Sequence, residues 1–231
     1  DYTVEYPNGH TDVGTWQMLV RGNKNYKGNF TKEITIDPQD ISSAGITIKH
    51  DTLIEYTGEV IKPEVTITHN TTGLKLQEGR DYVIDWPADS ELVEVGEKIF
   101  TIRAKGNYTG TRQRKFNITQ CDISKMSNLS ILGPDATGVP DKYDFLSGSY
   151  KDRAYAYDGT QRRPIFKVTR GDKILTLQTD YSVKYGENVK IGKASAVITG
   201  EGNYTGNKTV EFCIKGNLED INYTKITIPE Q

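Results

Sequence analysis

The turn sequence Gly106-Asn107-Tyr108-Thr109-Gly110 is the most informative stretch of this chain, because versions of it return at residues 22–28 and 202–206. Successive copies of the turn tyrosine are 82 and 96 residues apart. Glycine and asparagine tolerate the positive φ that tight strand connections require. Self-similarity of this kind is typical of chains built from repeated structural modules.

The sequence around the turn repeats as well. An Asp-Tyr-x-Val/Ile strand and a Val/Ile-Gly pair precede each copy, at residues 1–6 with 13–14, 81–86 with 95–96, and 180–185 with 191–192. A front half, Tyr-x-Gly followed by Lys/Arg-Pro, occurs only twice, at residues 56–63 and 157–164. We therefore predict the C-terminal half of a repeat at 1–36, repeats at 37–119 and 120–217, an insertion at 132–150, and the start of a further repeat at 218–231.

The strands of each copy alternate between apolar and polar residues. Tyr82, Ile84 and Trp86 share one face of their strand, and Val83 and Asp85 share the other. Short alternating strands separated by Gly, Pro and Asn are typical of an antiparallel β-sandwich. We predict an all-β chain of tandem antiparallel β-sandwich domains.

Composition excludes several classes of function. Lys plus Arg number 29 and Asp plus Glu number 31, so the net charge of −2 argues against a nucleic-acid-binding arm. The sequence has no run of about 18 apolar residues, so we expect no membrane insertion. We find no metalloprotease, P-loop, nucleophile-elbow or dinucleotide-binding motif, and we expect no enzyme activity, no cofactor and no metal site.

The assembled unit resembles the bacterial Ig-like tandem repeats of large Gram-positive cell-surface proteins and adhesins, of the kind found in gut Firmicutes. The motifs that carry the resemblance are Tyr-Thr-Gly at 56–58, Pro63, and residues 76–82 and 106–110, with their second copies. The resemblance implies Ig-like sandwiches that are secreted to the cell surface or cell wall, and it carries no catalytic residues. The insertion, Trp86 in place of the usual tyrosine, and the shortened first repeat depart from the pattern.

The shortened first repeat supplies about three strands, too few for two covered layers. Three explanations stay open: the chain is cut there, residues 1–36 pack on the neighbouring repeat, or another chain supplies the missing strands.

The turn tyrosines have a structural interpretation. We expect Tyr26, Tyr108 and Tyr204 to place their rings in the ends of the cores as plugs, with stacking on a sugar as the alternative. For Cys121 and Cys213 we predict two thiols without a disulfide, since their strands lie near opposite poles of the sandwich.

Candidate binding residues lie where the copies differ. The insertion carries Tyr143, Phe145 and Tyr150, and aromatic side chains on a loop are ready contacts for a sugar ring or a protein partner. The alternative is a loop that folds over its own sandwich and buries these rings. Trp86, at the end of a strand, and Trp16, which the repeat pattern does not require, are the next candidates.

Three functions therefore stay open. The first is a non-catalytic stalk or adhesin segment whose partners are neighbouring repeats of the same polypeptide. The second is a binding module for a host protein, such as immunoglobulin or another glycoprotein, or for a polysaccharide. The third is an accessory part of a glycan-degrading enzyme.

Overall fold

The computed structural model describes residues 1–127, 129–132 and 154–216, and within them the chain is all-β. One short 3-10 helix, Asp89–Leu92, is the only helical element of this described part. The chain divides into two units, Asp1–Ile118 and Thr119–Gln231. Residues 1–36 thus belong to the same unit as residues 37–118, and the predicted start of a further repeat at 218–231 lies outside the described residues.

Unit 1 begins with a three-stranded antiparallel meander, called here the N-terminal sheet. Its strands are β1 (Tyr2–Glu5), β2 (Gly14–Gly22) and β3 (Asn29–Ile36), with β2 in the centre. Even-numbered apolar residues of β1 and β2 share one face, because side chains alternate along a strand.

The rest of unit 1 contains a four-stranded sheet, a two-stranded antiparallel sheet and a short parallel pair. The elements are β4 (Gln39–Asp40), β5 (Ile46–Lys49), β6 (Leu53–Glu55), β7 (Thr66–His69), β8 (Tyr82–Asp85), β9 (Gly96–Ala104), β10 (Tyr108–Thr109) and β11 (Thr111–Thr119). The orders are β6-β11-β9-β8, β5-β7 and, in parallel, β4-β10.

The core of this part draws buried residues from both antiparallel sheets, as a β-sandwich does. Ile46 and Ile67 of the β5-β7 sheet are buried, and so are Phe100 and Ile102 of β9. His50, which follows β5, lies edge-on to Phe100 with 5.2 Å between ring centroids. The two sheets therefore face each other across one apolar layer.

Unit 2 contains the same kinds of sheet. Its strands are β12 (Cys121–Asp122), β13 (Leu129–Leu132), β14 (Ala154–Ala156), β15 (Lys167–Arg170), β16 (Lys173–Ile174), β17 (Tyr181–Tyr185), β18 (Gly192–Gly200), β19 (Tyr204–Thr205) and β20 (Asn207–Lys215). The orders are β14-β20-β18-β17, β13-β15-β16 and, in parallel, β12-β19. The core of unit 2 includes Val168, Ile198 and Phe212.

The central hairpins of the two four-stranded sheets and of the N-terminal sheet share one register. In each, the glycine that opens the first strand faces an isoleucine near the end of the second: Gly14 with Ile36, Gly96 with Ile118, and Gly192 with Ile214. Since a slip of one residue would turn every side chain to the opposite face, the shared register places corresponding sequence positions on corresponding faces.

Cys121 and Cys213 are both reduced thiols, as predicted. Cys121 pairs with Tyr204, just before β20 begins, whereas Cys213 lies near the end of β20. Nearly the whole strand separates the two thiols, far beyond the Cα separation of about 7 Å that a disulfide can bridge.

Candidate functional site

The structure describes only two of the five residues predicted to contact a ligand. Tyr143, Phe145 and Tyr150 lie outside the described residues, so their role as ligand contacts stays a prediction. Trp16 and Trp86 are described, and they lie on different sheets.

Trp86 follows β8, and its ring packs toward the core. Its ring centroid lies 4.5 Å from that of Phe100 and 6.4 Å from that of Phe116. Both phenylalanines are buried, whereas Trp86 is half-buried. The ring therefore extends the aromatic core, and this packing accounts for a large apolar residue at this position.

Trp16 lies on β2 in the N-terminal sheet and is half-buried. Its indole Nε1 donates a hydrogen bond to the backbone carbonyl oxygen of Asp12, at 2.7 Å. This hydrogen bond fixes the loop between β1 and β2 against the sheet, and it satisfies the only polar group of the indole ring.

The three turn tyrosines have different surroundings. Tyr204 is fully buried, Tyr108 is half-buried, and Tyr26 is 66% exposed. The expectation of a buried plug is wrong for Tyr26. The reason is that the described residues place no second layer over the N-terminal sheet, so there is no core end for this ring to fill.

Asn107 has a structural role that the sequence did not predict. Its Oδ1 accepts a hydrogen bond from the backbone N–H of Val13 at 2.8 Å, and its Nδ2 donates to Asp12 Oδ1 at 2.8 Å. The positive φ of the turn falls on Gly106 and Gly110 instead. The asparagine is therefore explained by its amide group, which links the turn to the N-terminal sheet 94 residues away.

The same turn also pairs with the segment that follows the N-terminal sheet. The backbone N–H of Gln39 donates to the carbonyl oxygen of Asn107 at 3.0 Å, and that of Ile41 donates to Thr109 at 2.9 Å. Gly110 has φ of +82°, and a Cβ there would lie 2.7 Å from Asp40 Oδ1. Only glycine fits this close approach without displacing the Asp40 side chain.

Asp81 and Arg80 complete a polar cluster beside this turn, called here the entrance cluster (Asp12, Arg80, Asp81, Asn107 and Tyr108). Asp81 is 4% exposed, and its carboxylate accepts two hydrogen bonds from the Arg80 guanidinium, both at 2.9 Å, and one from the Gln77 backbone N–H at 2.8 Å. The Arg80 hydrogen bonds lower the pKa of the Asp81 carboxyl below its usual range, and the Gln77 bond adds to this, while burial opposes it.

Burial raises the pKa of the Tyr108 hydroxyl, and the nearby Asp81 charge adds to the effect. The cluster borders a shallow groove of about 580 Å³. Because its buried carboxylate is already bound by protein donors, the arrangement suits holding the turn together more than it suits acid–base chemistry.

A second surface is apolar and uncovered. On one face of the N-terminal sheet lie Tyr2, Val4, Met18, Val20 and Phe30, called here the open face, which borders a groove of about 770 Å³. Tyr2 is 69% exposed, Val4 39% and Phe30 59%. The even-numbered alternation along residues 2–6 and 16–20 is the sequence signal for this face.

Neither a metal centre nor a membrane span emerges from the part of the chain that the structure describes. No three His, Cys, Asp or Glu side chains there are grouped so that they could hold a metal ion. Within the same residues, no helix is long and apolar enough to cross a bilayer.

The chain matches no protein-family model, and no curated protein shows significant sequence similarity to it. Its function must therefore be argued from the geometry of the sheets and of the two surfaces described above.

Proposed function

We propose that this chain is a non-catalytic segment of an exported bacterial surface protein, in which tandem Ig-like sandwich modules display or attach something at a distance from the cell. Its partners in this role are neighbouring modules of the same polypeptide, and its place is the cell surface or cell wall.

The observation that carries the proposal is where the chain enters and leaves a module. In unit 2, β12 pairs in parallel with β19, immediately before β20 begins. β20, the last strand of unit 2 that the structure describes, then runs for nine residues, and we take its end as the exit. At about 3.3 Å per residue, entrance and exit are separated by about 30 Å.

The same arrangement occurs in unit 1, where β4 pairs in parallel with β10, immediately before the nine-residue strand β11. Many domains have neighbouring termini, which suits insertion into another domain. Entrance and exit at opposite ends suit modules connected in series, since each module then adds its own length to the chain.

The parallel pairs also suit a chain under tension. β14 pairs in parallel with β20 through Ala154–Cys213, Tyr155–Ile214 and Ala156–Lys215. A force along β20 shears this pair, so its hydrogen bonds share the load and do not open one at a time.

Two experiments test the proposal. Trypsin treatment of intact cells that make the protein should release peptides of this chain, and release only after lysis would contradict surface display. Pulling the full chain by its ends should give discrete unfolding events at high force, and a featureless extension would contradict a load-bearing role.

A further inference from the structure

The N-terminal sheet has the register of two covered sheets, but the described residues place no covering layer over it. Val20 of β2 corresponds to Ile102 of β9 and to Ile198 of β18, since each lies six residues after the glycine that opens its strand. Ile102 and Ile198 are both 0% exposed. In contrast, the open face that contains Val20 borders a groove, and Phe30, its partner on β3, is 59% exposed.

The outer edge of β3 is the second difference. The corresponding strands β11 and β20 each pair with a further strand, β6 and β14, on the side away from the central strand. β14 runs parallel to β20. In the part of the chain that the structure describes, β3 is the last strand of its sheet, so its outer edge offers backbone donors and acceptors to an incoming strand.

We propose that the open face and the outer edge of β3 form an acceptor site for a polypeptide of the same type as residues 37–80. The bound polypeptide supplies one strand parallel to β3 and an aliphatic layer over Val4, Val20 and Phe30. The interaction combines main-chain hydrogen bonds at a sheet edge with burial of apolar side chains.

The covered sheets on the same chain determine this choice of occupant. In unit 1 both missing parts come from one continuous segment: β6 extends the sheet, and β5 and β7 contribute the buried Ile46 and Ile67. Among the described residues, a second copy of this chain offers another open face but no such strand-and-layer segment that is not already in use.

The test uses the full chain with a second copy of residues 37–80 joined ahead of Asp1. The junction is defined by sequence, because Asp81-Tyr82 opens β8 as Asp1-Tyr2 opens β1. Amide hydrogen exchange across residues 29–36 should slow by about tenfold or more, and binding of an apolar dye to the chain should fall. Unit 2, whose exchange should not change, serves as the internal control.

A matched variant carries Ile46→Asp and Ile67→Asp only in the added copy. It should give no protection of residues 29–36, because an aspartate cannot be buried over Val20 without a large cost. Equal protection by this variant would contradict the proposal, and so would unchanged exchange in the extended chain.

A separate peptide of residues 37–80, added to the unextended chain, distinguishes association from intramolecular folding. Saturable protection of residues 29–36 by the peptide would support an acceptor site for a second molecule. Concentration-dependent dimers of the unextended chain, with the open face protected in the dimer, would overturn the proposal in favour of self-association. The inference does not depend on the display function, since trypsin release and protection of the open face are measured independently.

Discussion

Asn107 shows how one side chain connects segments that are far apart in sequence. We predict that Asn107→Ala removes both bonds to the N-terminal sheet and speeds hydrogen exchange of the Val13 amide. The expected loss is about 1–2 kcal/mol of local stability, the usual contribution of one or two hydrogen bonds. Exchange measured by NMR tests this, with Asn8→Ala in an exposed loop as the control. Unchanged exchange at Val13 would show that the amide is not what joins the two segments.

A second residue-scale prediction concerns Gly110. Gly110→Ala places a Cβ against Asp40 at a φ of +82°, whereas Gly73→Ala introduces a methyl group into open space at a φ of +70°. Both changes pay the left-handed backbone cost of about 1–2 kcal/mol, but only Gly110→Ala adds a steric clash. Urea unfolding should show the larger loss for Gly110→Ala, and adding Asp40→Ala should recover part of it. Equal losses at the two positions would mean that backbone strain alone explains the glycine.

Asp81 gives the fold a dependence on pH. Its folded pKa lies below the usual value of 3.8, so the ionised form is favoured by folding. The resulting stability is fully present above about pH 4 and is lost as the pH falls through the folded pKa.

We therefore predict that Asp81→Asn costs about 1–3 kcal/mol at pH 7 and flattens the fall of the free energy of unfolding between pH 4 and pH 2. Urea unfolding at several pH values provides the measurement. Asp51→Asn, at an exposed position, is the control. If the free energy of unfolding of Asp81→Asn fell with pH as steeply as that of the unchanged chain, other carboxylates would be responsible for the acid dependence.

At the scale of strands and sheets, Trp86 tests whether an aromatic residue at a strand end serves the core or a ligand. Since its ring packs on Phe100 and Phe116, Trp86→Ala should lower the free energy of unfolding by about 2–3 kcal/mol. Trp16→Ala, on the less covered N-terminal sheet, should cost less. Chemical unfolding of both variants measures the two losses. An unchanged stability for Trp86→Ala would show that the ring does not stabilise the core and would favour a role in ligand contact.

Strand positions were predictable because their signals are local. The alternation in residues 82–86 and the turn at 106–110 specify which face is apolar and where the chain reverses, and the all-β prediction is confirmed. The amide link of Asn107 was not predictable, because it joins residues 94 positions apart. The exposure of Tyr26 was not predicted for another reason: it depends on whether a second layer faces the N-terminal sheet, which the described residues do not supply, and not on the turn sequence itself.

At the scale of the whole chain, the separation of entrance and exit can be measured directly in unit 2. We predict a spin-label distance of about 30 Å between Ser124→Cys and Lys215→Cys in a chain with Cys121→Ala and Cys213→Ala. The control pair, Ser124→Cys with Thr205→Cys, should be much closer, since the Ile123 N–H donates to the Thr205 carbonyl oxygen at 2.9 Å.

Similar distances for the two label pairs would place entrance and exit at one end of the unit and would remove the main support for modules in series.

The shared hairpin register also has a consequence for folding errors. Three hairpins with the same glycine–isoleucine alignment can exchange partners through their backbones alone, and neighbouring modules of similar sequence are prone to such misassembly. The central position of each hairpin differs in volume: it is Met18 in the first, Phe100 in the second and Ala196 in the third. A hairpin exchanged between the two covered sheets would put alanine where phenylalanine is buried, or the reverse, so the unequal side chains at this position disfavour that exchange.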